Sequence, residues 1–126
     1  MRTIKFRGKR VDTGEWVYGD LITLDVNERG KPVRDGLFIS IDSGRFRFEV
    51  IPETVGQFTG LTDKNGDEIY DGDILKAYKH SDGHPFPVTY DERSAMFMAL
   101  PFGTLDSAKN YSIVINNIHD NPELIK

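Results

Sequence analysis

The densest run of metal-capable side chains in the 126-residue sequence is Asp63-Lys64-Asn65-Gly66-Asp67-Glu68, with Asp71 and Asp73 close behind. Asp63, Asn65 and Asp67 stand at the first, third and fifth ligand positions of a calcium-binding EF-hand loop, which wraps oxygen donors around a hard cation. The remainder of that pattern is missing. Gly66 precedes the fifth-position donor instead of following it, and Ile74 occupies the twelfth place, where a bidentate glutamate belongs. Asp63, Asn65, Asp67, Asp71 and Asp73 form the candidate cation site. The competing reading is a hairpin turn, polar because turns are polar. His80 and His84 have the spacing of two ligands on one helix face, but Gly83 and Pro85 oppose a helix there. His119 is remote, and a zinc site needs three or four ligands. The first two therefore read as solvated loop residues, and His119 as a structural hydrogen-bonding group.

A second chemistry is phosphate binding. Arg2, Lys5, Arg7, Lys9 and Arg10 crowd the first ten residues with no acid among them, and Arg45 and Arg47 form a second alternating pair. If the two strands lie side by side, Arg2, Lys5, Arg7, Arg45 and Arg47 make one outward stripe able to contact nucleic-acid phosphates. Phe6 or Trp16 could offer a stacking face. The chain as a whole carries a formal charge of -4, so no global field attracts nucleic acid. That balance favours a solvated sheet face, with the cations guarding an edge against aggregation.

Covalent chemistry has little to work with. The chain has no cysteine, which removes disulfides, thiolate metal sites and cysteine nucleophiles. It shows no P-loop, nucleophile elbow, zinc-protease helix or dinucleotide glycine pattern. No enzyme activity and no cofactor are expected. The aromatic side chains read as core and subunit contacts, with Trp16, Phe58 and Phe97 as candidate interface residues and Met96 and Met98 alternating with Phe97.

The elements that must position these residues are strands. Ile4 and Phe6 alternate with Lys5 and Arg7, the period of a half-buried strand. Asp12-Thr13-Gly14 then turns the chain into an aromatic run around Trp16 and Tyr18, giving a hairpin over 2–10 and 15–24. Residues 25–35 form a polar loop. A second hairpin joins 36–41 to 46–50 through Asp42-Ser43-Gly44-Arg45. Pro52 breaks the chain before a strand at 55–59, and Asn65-Gly66 signals a hairpin, since both central residues tolerate positive φ. Strands follow at 74–78, 87–90, 95–100 and 111–115, with a loop at 101–109 and one short helical turn after Pro122. The fold class is mainly β: short antiparallel strands in a small barrel or sandwich, with minimal helix. It forms either one body or two packed β subdomains divided near 25–35 or 52–60.

Three stretches resemble a known family. They are Ile4-Lys5-Phe6-Arg7-Gly8-Lys9-Arg10 with Gly14-Glu15-Trp16-Val17-Tyr18-Gly19; Pro52 to Gly66 continuing through Ile69-Tyr70-Asp71-Gly72-Asp73-Ile74; and Ile118-His119-Asp120-Asn121-Pro122-Glu123-Leu124. In this order they are similar to the YopX family of phage and prophage proteins. The resemblance spans nearly the whole chain and implies a mainly-β fold and a phage, prophage or mobile-element origin. It supplies no catalytic residues.

The opening residues are not followed by the apolar run of a signal peptide, and no stretch nears the roughly 20 apolar residues of a membrane helix. A cytoplasmic location in a bacterial host is expected. The leading expectation is a non-enzymatic binding module acting as a homo-oligomer, with a host or phage protein as a further partner. Nucleic-acid binding through the basic sheet face and a metal-dependent site at residues 63–73 are the alternatives.

Overall fold

The computed structural model describes residues 3–24, 29–31, 36–77 and 84–125. Arg2 and His80 lie outside them. The chain divides into two units between Gln57 and Phe58.

The first unit is an antiparallel meander of β1 (Phe6–Lys9), β2 (Trp16–Thr23), β3 (Leu37–Ile41) and β4 (Phe46–Glu49), hydrogen-bonded in the order β4-β3-β2-β1. Both expected hairpins are present. Directly paired residues share a face of a sheet. The register Arg7↔Tyr18, Asp20↔Ser40 and Ser40↔Arg47 therefore sorts Arg7, Trp16, Tyr18, Phe38 and Arg47 onto one face. Phe6, Leu21, Ile39, Phe48 and Val50 lie on the other. The β2–β3 pair approaches closely at Gly19, where an added Cβ would stand 2.2 Å from the Ser40 carbonyl oxygen. Only glycine fits there.

The outer edge of β4 is partly closed by the chain leaving β1. The Val11 N–H donates to Glu49 O at 3.0 Å, and the Ile51 N–H to Lys9 O at 2.8 Å. Arg10 and Val50 form a single antiparallel bridge. On the inner side the Val50 N–H donates to Leu37 O. Backbone groups alternate in direction along a strand, so those of Phe48 and Val50 point to β3, and those of Arg47 and Glu49 point to the outer edge. One bridge is not a ladder, and the sheets do not close into the barrel that the strand spacing allows.

The strand β5 (Gly56–Thr62) crosses the division. Gly56 and Gln57 pair with β1, while Phe58 and Thr62 pair with β6 (Glu68–Tyr70) in the second unit. There β7 (Asp73–Ala77) lies between β8 (Pro85–Pro87) and β11 (Ser112–Asn117), and β9 (Thr89–Asp91) pairs with β10 (Met96–Met98). Pro85 and Pro87 lack an N–H, which suits β8 to the edge of its sheet. The single strand expected over 87–90 is in fact two. Val88 lies between them, donating to Asp73 O and accepting from the Gly72 N–H. The unit's core gathers Ile69, Leu75, Phe86, Val88 and Leu105, each almost wholly removed from water.

One helix is not legible in the sequence. In place of an unbroken loop over 101–109, residues Leu105–Ala108 form α1, capped by the Thr104 side chain, which accepts from the Ser107 N–H. Leu105 and Ala108 bury its inner side. A single turn is too short to show a helical period.

Candidate anion-binding cleft

The cations of the expected stripe do not come together as one. Arg7 and Arg47 share a face, but β2 and β3 stand between their strands. Arg7 is only 5% exposed. Its guanidinium carbon sits 4.7 Å from the centroid of the Trp16 ring, and Lys9 Nζ lies 5.7 Å from the same ring. The alternation along β1 holds, but Arg7 itself is covered, because Trp16 on β2 offers a flat partner for a desolvated guanidinium. Lys5 is half-buried, while Arg45 and Arg47 are exposed.

A different set of cations does converge, at the outer edge of β4. Arg10, Arg29, Lys31 and Arg47 line a cleft of about 560 Å³ together with Asp12 and Glu49. Among the described lining residues, four cations against two carboxylates leave a surplus of two positive charges. Arg10 follows β1, Arg29 and Lys31 lie between β2 and β3, and Arg47 belongs to β4, so three separate parts of the sequence supply the charge. Phe38 and Phe48 also line it.

Arg10 is fixed in this cleft from two sides. Its Nε and Nη2 donate to the two carboxylate oxygens of Asp12 at 2.9 and 2.7 Å. Its guanidinium carbon lies 4.3 Å from the centroid of Phe48. A bidentate pair of this kind sets the plane of the guanidinium as well as its position. The Asp12 hydrogen bonds raise the Arg10 pKa, and the same bonds hold the Asp12 carboxyl below the ordinary carboxylate range. Arg10 is thus a permanent cation, and its orientation is set before any ligand arrives.

A second cleft, of about 350 Å³, continues along β4 and is lined by Gly44, Arg45, Phe46, Arg47 and Phe48. The two clefts share Arg47 and Phe48.

The acidic turns serve the backbone. Asp63 is 6% exposed. Its Oδ1 accepts from the Asn65 and Asp67 N–H groups at 2.8 and 2.9 Å, and its Oδ2 accepts from the Val114 N–H at 2.9 Å. Asp73, 2% exposed, accepts from the Tyr70 N–H at 2.7 Å. Asn65 and Asp67 are exposed, and Asp71 is half-buried. Among the described residues, no group of three or more His, Asp or Glu side chains is placed to hold an ion. In the Asn-Gly turn only Gly66 takes positive φ, at 87°. Asp63 explains this. Its carboxylate caps the Asn65 and Asp67 amides while its carbonyl accepts from the Gly66 N–H, which is a side-chain-supported turn closed by a left-handed glycine.

His84 is an exposed loop residue, and the His119 N–H donates to Asn117 Oδ1 at 3.0 Å. Of the candidate interface residues, Phe58 belongs to the interior instead: it is 8% exposed, with its ring 5.5 Å from that of Tyr70. Trp16 is half-buried beneath Arg7 and Lys9. Phe97 is half-buried and meets Tyr90 edge-on at 5.0 Å. The exposed apolar side chains of that region are Tyr90, Met96 and Leu100. No helix among the described residues is long and apolar enough to cross a membrane.

Sequence reasoning weighs Arg10 and Arg47 but misses Arg29 and Lys31. The available signal is the Arg29-Gly30-Lys31 triplet inside an otherwise mixed polar loop.

Comparison with known proteins follows the architecture. No curated protein matches the chain. The crystal structure of protein EF1440 from Enterococcus faecalis matches over 100% of both chains, with a TM-score of 0.60 and 24% sequence identity, a likeness of fold. The family model described as YopX protein matches residues 5–126, and the chain belongs to the YopX family.

Proposed function

We propose that the protein is a phage- or prophage-derived binding module without catalytic machinery, working in the bacterial cytoplasm, and that it engages an anionic partner through the cleft at the outer edge of β4. The observation carrying this reading is the convergence of Arg10, Arg29, Lys31 and Arg47 on one cleft in a chain whose net charge is -4. An acidic protein repels polyanions at long range, so a local surplus of cations is what a specific anion site requires. Arg10, held by Asp12 and Phe48, needs little reordering when a ligand binds, and such preorganisation favours affinity.

Heparin chromatography tests the reading. The wild-type protein is retained at low salt and eluted by a salt gradient, and Arg47→Glu elutes earlier. Passage of the wild-type protein straight through the column at low salt rejects the proposal.

A second reading, self-association, rests on the exposed Tyr90, Met96 and Leu100 of the second unit. Large apolar side chains left exposed are candidates for contact with a second copy. Native mass spectrometry decides it: a multiple of the 14.3 kDa chain that collapses in Met96→Lys supports the homo-oligomer, and a monomer at all concentrations removes it.

A further inference from the structure

The edge of β4 holds two kinds of feature side by side. The larger cleft supplies charge, from Arg10, Arg29, Lys31 and Arg47. The smaller one adds a ring. Phe46 is 49% exposed, although it is a large apolar side chain. The Arg45 guanidinium stands 5.7 Å from the centroid of that ring. Its ion pair with Asp42 is long, at 3.9 Å, with both side chains well exposed, so it holds Arg45 only weakly. At about 3.3 Å per residue, the four residues of β4 span about 13 Å. The charged cleft and the exposed ring are therefore within reach of neighbouring units of one polymer.

A ligand consisting of charge alone has no use for the ring. An acidic peptide uses the cations but brings a flat π surface only where it happens to carry an aromatic side chain, whereas the repeat of a nucleic acid brings one at every unit. An oligonucleotide brings both phosphates and bases. In a duplex the base faces are occupied by one another, whereas in a single strand they are available for stacking on aromatic side chains beside cations. We infer that the outer edge of β4 binds single-stranded nucleic acid, with a phosphate in the Arg10–Arg47 cleft and an adjacent base stacked on Phe46. This rests on the anion-binding reading of the cleft and adds the class of ligand.

Fluorescence anisotropy with a labelled 12-nucleotide oligothymidylate tests it, set beside a duplex of equal length and polyglutamate. The proteins are the wild type, Phe46→Ala and Phe46→Trp, each also run on heparin. The expected result is binding of the single strand, with the duplex and polyglutamate at least tenfold weaker. Phe46→Ala loses about tenfold in affinity for the single strand, as expected for one stacked base. Phe46→Trp restores it, and neither change moves heparin elution. Equal binding of duplex and single strand, equal binding of polyglutamate, or an unchanged affinity in Phe46→Ala overturns the inference while leaving the anion cleft standing. Loss of heparin retention by the wild type removes both.

Discussion

The guanidinium of Arg10 lies 4.3 Å from the ring centroid of Phe48 while two of its nitrogens hold the carboxylate of Asp12. Arg10 comes from the end of β1 and Phe48 from β4, brought together by the bridge between Arg10 and Val50. The curl of the sheet therefore creates the cleft: it carries a cation from one end of the meander to the open edge at the other. Asp12 both orients that cation and offsets its charge.

Replacing Asp12 with asparagine separates these two roles. The amide oxygen introduced by the substitution still accepts one hydrogen bond from Arg10, and the cleft gains one unit of positive charge. Asp12→Asn is expected to elute later from heparin than the wild type. The same variant tests the acid limb of stability. Arg10 depresses the Asp12 pKa in the folded chain, so the unfolded chain takes up the proton more readily. The stabilisation is then present above the ordinary carboxylate range, near pH ~4, and is lost as pH falls below it. Urea midpoints against pH should fall less steeply at the acid end in Asp12→Asn.

Asp63 is a structural carboxylate that three backbone N–H groups share. Asp63→Ala leaves those donors without their acceptor in a buried place and should cost about 3 kcal/mol in urea unfolding. Asp63→Asn should fare little better, because one of its side-chain positions becomes a donor facing another N–H. The wild-type melting temperature should not move when calcium is added, since the oxygens of Asp63 are already engaged.

Backbone fit gives a pair of opposite effects. Ala95 takes φ 55°, a left-handed conformation that costs a residue with a Cβ about 1 kcal/mol. Ala95→Gly should raise the melting temperature by a few degrees. At Gly19 an alanine Cβ would collide with the Ser40 carbonyl. Gly19→Ala should destabilise by about 2 kcal/mol or more, because the β2–β3 ladder must shift. Thermal melts followed by circular dichroism measure both.

Much of the strand plan is legible because alternation and turn residues are local. Ile4 with Phe6, Trp16 with Tyr18 and Phe46 with Phe48 each announce a strand, and the turns around Gly14 and Gly44 fall where the sequence places them. Alternation sorts residues into faces without saying which face is covered, so Arg7 reads as outward although Trp16 covers it. The cleft is hidden for a different reason. Arg10, Arg29 and Arg47 are far apart in sequence, and only the curl of the meander brings them together. The acidic run reads as a polar turn that carries part of a cation-loop pattern, and Asp63, buried against backbone amides, serves that turn.

The salt dependence of oligonucleotide binding counts the phosphates engaged by the cleft. Affinity for a labelled single strand, measured from 50 to 200 mM salt, reports how many phosphates the cations neutralise, with a slope of about -0.7 per phosphate contact. With four cations in the cleft, Arg10, Arg29, Lys31 and Arg47, the wild-type slope should be no steeper than about -3. Arg47→Glu should weaken binding at every salt concentration and flatten that slope. No binding at 50 mM salt, or a slope that Arg47→Glu leaves unchanged, would rule out the cleft as the phosphate site.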